Sequence, residues 1–371
     1  MKPRKALPLL SVAVLSLTSC GGVKPWATHL DDYVFNMDYH DGFNILQLTD
    51  IHWNYNTSAK SNVRYLEKVI KETDRHIKES DPTQGIDLVE LTGDQFMLAN
   101  TYHVKKFIEF FEGQAKKYGF KYAIIWGNHD SHCLYNPNWL YKQFKKAHHA
   151  IYADEEDDLY GRSNFVINLN QSGAAKWQLV NLDSGASISD TAVSPFRDYD
   201  YIRKEQTDWW LAEHIDGVPS IAYYHIPQDE NQEMWEKAEA GTLASKYKYF
   251  KLEGFGSNET IKSDFIDRAK DHDLKAAFMG HAHNVDWTFD YDGVVIGLGV
   301  KTGPELYYAH IDVNDKDPMV QAVLADLSIT ENFDLIGASL VTLKDTVGSF
   351  SLEHLYYNER DNGDFVKWAQ W

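Results

Sequence analysis

The chain has 371 residues, 43% of them hydrophobic and 14% aromatic, with a formal net charge of −19. This composition excludes a disordered chain, and so strong an acidic excess argues against a protein that holds polyanionic nucleic acid through basic patches. The length allows one large domain or two ordinary ones around a substantial core.

The first element in the chain reads as a targeting segment. Lys2, Arg4 and Lys5 make a basic start, Ala6 to Leu17 make an apolar run, and LTSCGG follows. That run is shorter than the roughly 20 residues of a membrane span. The ending resembles a bacterial lipobox. The resemblance implies a lipoprotein signal peptide at 1–19, lipidation of Cys20, and an extracytoplasmic protein anchored to a bacterial membrane. The alternative reading is an ordinary signal peptide or an uncleaved anchor. Residues 20–36 then read as a tether, and 37–371 as a single domain with no internal repeat. With Cys20 acylated, Cys133 is the only other cysteine, so no intrachain disulfide forms and stability rests on the core or on metals.

From there, apolar runs keep ending in polar clusters: NILQL into TDIHWN, IDLVEL into TGDQF, YAIIW into GNHD, SIAYY into HIP, and KAAFM into GHAH. Short runs rich in Ile, Val, Leu and aromatics, stopped by Gly or Asp, predict buried strands. Between the first three lie helical patterns. Val63, Leu66, Ile70 and Ile77 share one face, and Val104, Phe107, Ile108, Phe111 and Ala115 share another. This alternation predicts an α/β layered fold. Further strands are expected at NFVINL and WQLVNLD, a helix over 205–215, and then NVDWTFDY, VVIGLG, ELYYAHIDV and SFSLEHLYYN as strands. The acidic run at 154–158 reads as a solvated loop. DVNDKDP lacks the glycine and closing glutamate of an EF-hand loop.

In α/β sheets the ligand groups sit beyond the carboxyl ends of the strands, and all five clusters fall there. They collect Asp50, His52, Asp94, Asn128, His129, His225, His281 and His283. Imidazole suits zinc, iron and manganese, and carboxylates suit the harder ions. So many donors exceed the needs of one ion and fit two. Each motif alone is weak, because Gly-Asp after a strand is usually a turn and a single histidine is usually structural. Their joint occurrence in order is what carries the argument.

The series D-x-H, G-D, G-N-H-D, H and G-H-x-H resembles the signature of calcineurin-like metallophosphoesterases. It runs here from Asp50 to His283. RKEQTDWW and YYHIPQ add a likeness to the purple-acid-phosphatase-like branch of phosphatases and phosphodiesterases. The resemblance implies a four-layer α/β/β/α sandwich and a dinuclear centre of two metal ions, such as Mn, Fe or Zn. Asp50, His52 and His283 would hold one ion, Asn128, His225 and His281 the other, and Asp94 would bridge them. The implied reaction is hydrolysis of a phosphate ester by a metal-bridging hydroxide, with phosphomonoesters favoured. The alternatives are a phosphodiesterase acting on nucleotides or lipid head groups, and a non-catalytic surface lipoprotein with structural metals. His129 is expected to be the general acid or a phosphate contact, oriented by Asp130; capping of the turn is the other reading for Asp130. The first block carries His52, and no tyrosine ligand follows LTGDQF, so Fe(III)–tyrosinate chemistry is not expected. Asn54, Gln95 and Arg162 are candidates to line the pocket, His132 is read as facing water, and Trp53 and Trp126 are read as core.

Overall fold

The computed structural model describes residues 33–54, 59–130, 137–153, 159–190, 194–243 and 247–371. The signal peptide, Cys20, most of the tether, His132, Cys133 and the acidic run lie outside them. Two sheets dominate. One has seven strands, with Phe43–Leu48, Leu88–Thr92 and Lys121–Ile125 running parallel side by side. The other has eight, and in it Ala174–Asn181, Ser220–Tyr223 and Leu274–Met279 run parallel.

Period-two patterning explains how the sheets stack. In the Phe43–Leu48 strand, Phe43 and Ile45 join the core shared with the second sheet, while Leu46 and Leu48 join a separate core beneath helices. The same split separates Ala123 and Ile125 from Tyr122 and Ile124. A strand buried on both faces needs mostly apolar residues, and these strands have them, with Asn44, Gln47, Glu90 and Thr92 as buried polar exceptions.

Helices Ala59–Ser80 and Thr101–Tyr118 supply Leu66, Val69 and Ile70, and Val104, Phe107 and Phe111, to the outer face of the seven-stranded sheet. Trp209 and Trp210 of helix Lys204–Glu213 and Trp235 of helix Asp229–Glu239 join the core of the eight-stranded sheet. The order is therefore helix, sheet, sheet, helix, a four-layer α/β/β/α sandwich.

Several features differ from the expectation. Residues 34–36, read as the end of the tether, lie in strand Val34–Asp38, which pairs parallel with Phe165–Gln171, and Phe365–Gln370 is a further strand at the edge of the seven-stranded sheet. ELYYAHIDV is a strand only at His310–Ile311; the residues before it form a loop at the mouth of the site, where Tyr307 is 56% exposed. Gly337–Leu343 is an unforeseen strand that runs antiparallel between Phe43–Leu48 and Phe350–Asn358. The hairpin Ser187–Asp190 with Ser194–Tyr199 was likewise unforeseen, and it carries Tyr199 to the site. No helix among the described residues is long and apolar enough to cross a membrane.

Candidate metal centre

Five parallel strands end at one place, three from one sheet and two from the other. Leu48 leads into Asp50 and His52, Thr92 into Asp94, Ile125 into Asn128, Tyr223 into His225, and Met279 into His281 and His283. Backbone strain concentrates here. Asp50 (φ 53°), His52 (φ 50°), Asp94 (φ 52°) and His281 (φ 79°) all occupy the left-handed region, which costs on the order of 1–3 kcal/mol per non-glycine residue. That cost aims the side chains at one another instead of along the strands.

The side chains form two groups that share Asp94. In the first, His52 Nε2 lies 2.9 Å from His283 Nε2, 3.8 Å from Asp50 Oδ1 and 3.7 Å from Asp94 Oδ2. In the second, His225 Nε2 lies 3.1 Å from Asn128 Oδ1 and 3.5 Å from Asp94 Oδ1, with His281 close by. Asp94 thus turns one oxygen to each group. An ion with ligands at about 2.1 Å holds adjacent donors about 3 Å apart, so both spacings fit a cation.

The unmet hydrogen-bonding capacity points the same way. Asp50 Oδ1 and Asp94 Oδ2 are buried without a hydrogen-bond partner, which is costly unless a cation completes them. The other oxygen of Asp50 is held by Thr49 Oγ1 at 2.7 Å and the His281 backbone N–H at 2.9 Å. His225 Nδ1 faces the Thr92 carbonyl at 2.9 Å. As a donor there, a neutral ring presents the lone pair of Nε2 to two further lone-pair atoms, an arrangement that only a proton or a metal ion can satisfy.

Electrostatics agree. Burial tends to raise the carboxyl of Asp50, but His283, His225 and His52 outweigh it and hold the group well below the usual carboxylate range. Burial disfavours a charged His225, yet the adjacent Asp94 and Asp50 push the imidazole up to about 9. His281 goes the other way, down to about 3, through burial and then the neighbouring His225. In the cation-free protein a proton on His225 therefore stands where a metal would. Below about pH 9, binding at this position must expel that proton, so affinity should rise about tenfold per pH unit up to that point. Calorimetry at pH 7 in buffers of different ionisation enthalpy should report about one proton released per protein, and none in His225→Asn.

Close approach explains the glycines before the ligands. Gly127 does not have positive φ; a Cβ there would stand 2.3 Å from Asp94 Oδ1 and from the Asp94 amide nitrogen, and 2.8 Å from His225 Nε2. Gly127→Ala should therefore leave the sheets intact but displace the shared carboxylate. Metal content should fall below one ion per protein, with turnover down by a factor of 100 or more; a fully loaded variant would refute this account.

The other sequence-derived candidates divide as follows. His129 is half-buried, its backbone N–H bonds Asp94 Oδ1 at 2.7 Å, and its ring centre is 5.5 Å from that of His52. Asp130 accepts the amides of Gly127 at 2.7 Å and Phe96 at 2.8 Å. The described bonds of this carboxylate are thus those of a cap holding the 127–130 turn, the alternative reading of the sequence. Burial, and then the charge of Asp94, push it well above its ordinary range. Gln95 is structural, donating to the Ile125 carbonyl at 2.8 Å. Arg162 lies over Tyr141 and 3.3 Å from Asn138 Oδ1. Trp53 and Trp126 pack among Phe107, Phe110, Phe144 and Tyr152 as core. The side chain of Asn54 lies outside the described part.

Sequence reasoning missed several neighbours. Lys301 is buried beneath the centre and donates to the Asp50 carbonyl at 2.5 Å, and burial lowers its ammonium to about 8. Its only signal was a single charge following an apolar run. The ring of Tyr199 meets that of His281 at 4.4 Å, and the ring of Tyr307 meets that of His283 at 4.5 Å. Glu253 accepts the backbone N–H and side-chain amide of Asn284.

Comparison with known proteins gives consistent results. A family model described as calcineurin-like phosphoesterase matches residues 43–285. An Arabidopsis thaliana protein described as "Probable inactive purple acid phosphatase 28" is 24% identical over 299 residues, covering 71% of each chain. Among solved structures, a dimetal phosphatase from Danio rerio superposes with a TM-score of 0.50 at 11% identity, covering 84% of this chain and 96% of its own.

Proposed function

Because the chain belongs to the calcineurin-like phosphoesterase family, a family of hydrolases acting on phosphate esters, we propose that it is a dinuclear phosphomonoesterase. In this reading Asp50, His52 and His283 hold one cation, Asn128, His225 and His281 the other, and Asp94 both. The observation that carries it is the pair of donor groups sharing one carboxylate, with Asp50 Oδ1 and Asp94 Oδ2 buried without a hydrogen-bond partner. Manganese, iron and zinc all suit this mixture of imidazole, carboxylate and amide.

Two bound cations supply charge neutralisation for the phosphoryl oxygens and lower the pKa of water. The chain's own residues do the rest. Lys301 holds the carbonyl of Asp50 and so keeps the strained first turn in place. Asp130 caps the turn that presents Asn128 and His129 on adjacent positions. His129 donates a proton to the leaving oxygen: the bond from phosphorus to the alcohol oxygen breaks, that oxygen takes the proton, and the oxygen of water remains on phosphorus as inorganic phosphate. A cleft of about 880 Å³ borders the centre at Tyr199 and Gly256 and leaves room for the organic substituent of an ester.

The test is metal analysis of the purified protein together with hydrolysis of p-nitrophenyl phosphate and bis-p-nitrophenyl phosphate under added Mn²⁺, Fe²⁺ or Zn²⁺. We expect about two ions per chain and the monoester preferred at least tenfold. A preference for the diester would favour the phosphodiesterase reading. No turnover of either ester with any metal would favour a non-catalytic role, the condition stated for the Arabidopsis relative.

We also propose that the N-terminal segment anchors the protein to a bacterial membrane through Cys20. Radiolabelled palmitate should be incorporated by the wild type, and Cys20→Ser should abolish both labelling and recovery in the membrane fraction.

A further inference from the structure

We propose that the organic half of the ester carries a positive charge, as an amine or quaternary ammonium group, seated between Tyr199, Tyr307 and Glu253 and extending into the cleft beyond. This rests on the phosphoesterase reading and deepens it.

Three observations converge. First, each metal-facing histidine at the mouth carries a tyrosine ring, Tyr199 on His281 and Tyr307 on His283, and Tyr307 is 56% exposed and so open to a ligand. Aromatic faces beside a phosphate site suit either a nucleobase or a cation.

Second, Glu253 decides between these. Its carboxylate is fixed by two bonds from Asn284, the residue next to His283, at 2.8 and 3.1 Å. Because Asn284 directly follows His283, this carboxylate is held one residue from the histidine that carries the Tyr307 ring. A fixed carboxylate among aromatic rings recognises an ammonium group and repels the additional phosphates of a nucleotide.

Third, the cleft past Tyr199 is acidic. Lys262 pairs with Asp229 and Lys237 with Glu233. Among the described residues, Asp198, Glu236 and Glu259 line the same cleft with no lysine or arginine paired to them. At the other border, the backbone of Gly256 lies so close that a Cβ would stand 2.5 Å from His281 Nε2. The acidic wall therefore begins directly beside the second donor group.

A matched pair of esters isolates the charge. Phosphocholine and 3,3-dimethylbutyl phosphate have the same shape, with nitrogen in one replaced by carbon in the other. For the metal-loaded wild type we expect kcat/KM to favour phosphocholine at least tenfold. The ratio should fall toward one in Glu253→Gln and in Tyr307→Leu, and partway in Glu236→Gln/Glu259→Gln. Phosphatidylcholine vesicles assayed for released phosphocholine separate a lipid head group from a free ester as the source of the same chemistry. A wild-type ratio at or below one, or a ratio unchanged in every variant, would overturn the proposal. Should no ester be hydrolysed, the phosphoesterase reading itself fails. Calorimetric binding of the same two esters then carries the comparison: tenfold tighter binding of phosphocholine upholds the cation site, and equal binding removes it.

Discussion

Replacement of Asp94 by alanine is expected to lower phosphate-ester turnover by roughly 10³-fold or more and to reduce bound metal from two ions toward one or none. Among the described residues this carboxylate is the only donor that belongs to both groups, one oxygen facing His52 at 3.7 Å and the other facing His225 at 3.5 Å. Its loss leaves His225 without the partner that holds its proton, and the 128–130 turn without the acceptor of the His129 amide. Losing one preorganised electrostatic contact typically costs 10²–10³-fold, and here one residue serves two cation positions. The fold should survive, because the two hydrophobic cores that hold the sheets together do not include this residue. Elemental analysis beside an unfolding curve checks the point. Wild-type rates in Asp94→Ala would eliminate the two-metal mechanism.

His129→Ala should separate proton transfer from metal binding. The ring lies at the mouth, half-buried, and belongs to neither donor group. Metal content should therefore stay near two ions, while kcat falls by about 10²–10⁴, the usual worth of a positioned general acid. The deficit should grow with the basicity of the leaving alcohol: small for p-nitrophenyl phosphate, whose phenolate leaves unaided, and large for an alkyl phosphate. A deficit equal across leaving groups would reassign His129 to contact with the phosphate. A rise in KM at constant kcat would mean that it contributes only to substrate binding.

Asp130 shows why such roles are hard to read from adjacency. It follows His129 directly, and imidazole–carboxylate pairs are common. The amides of Gly127, in the 127–130 turn, and of Phe96, in the separate strand Phe96–Met97, both donate to Asp130. Backbone groups buried at a strand end must find partners, and this demand accounts for the bonds described at Asp130. Gly127 is a parallel case. Its neighbours, which come from other strand ends, leave no room for a Cβ.

The sequence by itself determined the elements and their polar ends. Mostly apolar runs are buried on both faces inside a layered sheet, and donors placed just past the carboxyl ends of parallel strands converge at one edge of it. The residues of both donor groups, Asp50, His52, Asp94, Asn128, His225, His281 and His283, were legible on that ground. What only the tertiary structure decided lies in groups with no local pattern. Lys301 is one lysine among many until the isolated bridge between Thr49 and Lys301 brings it under Asp50. Gly337–Leu343 becomes a strand because it fills the space beside Phe43–Leu48, some 290 residues away in the chain. Tyr199, Glu253 and Tyr307 come from three separate segments and reach the centre only through contacts with His281, Asn284 and His283. Periodicity and motif spacing record local geometry and burial; they carry no information on which distant loop closes over which strand end, because that is set by how the layers stack.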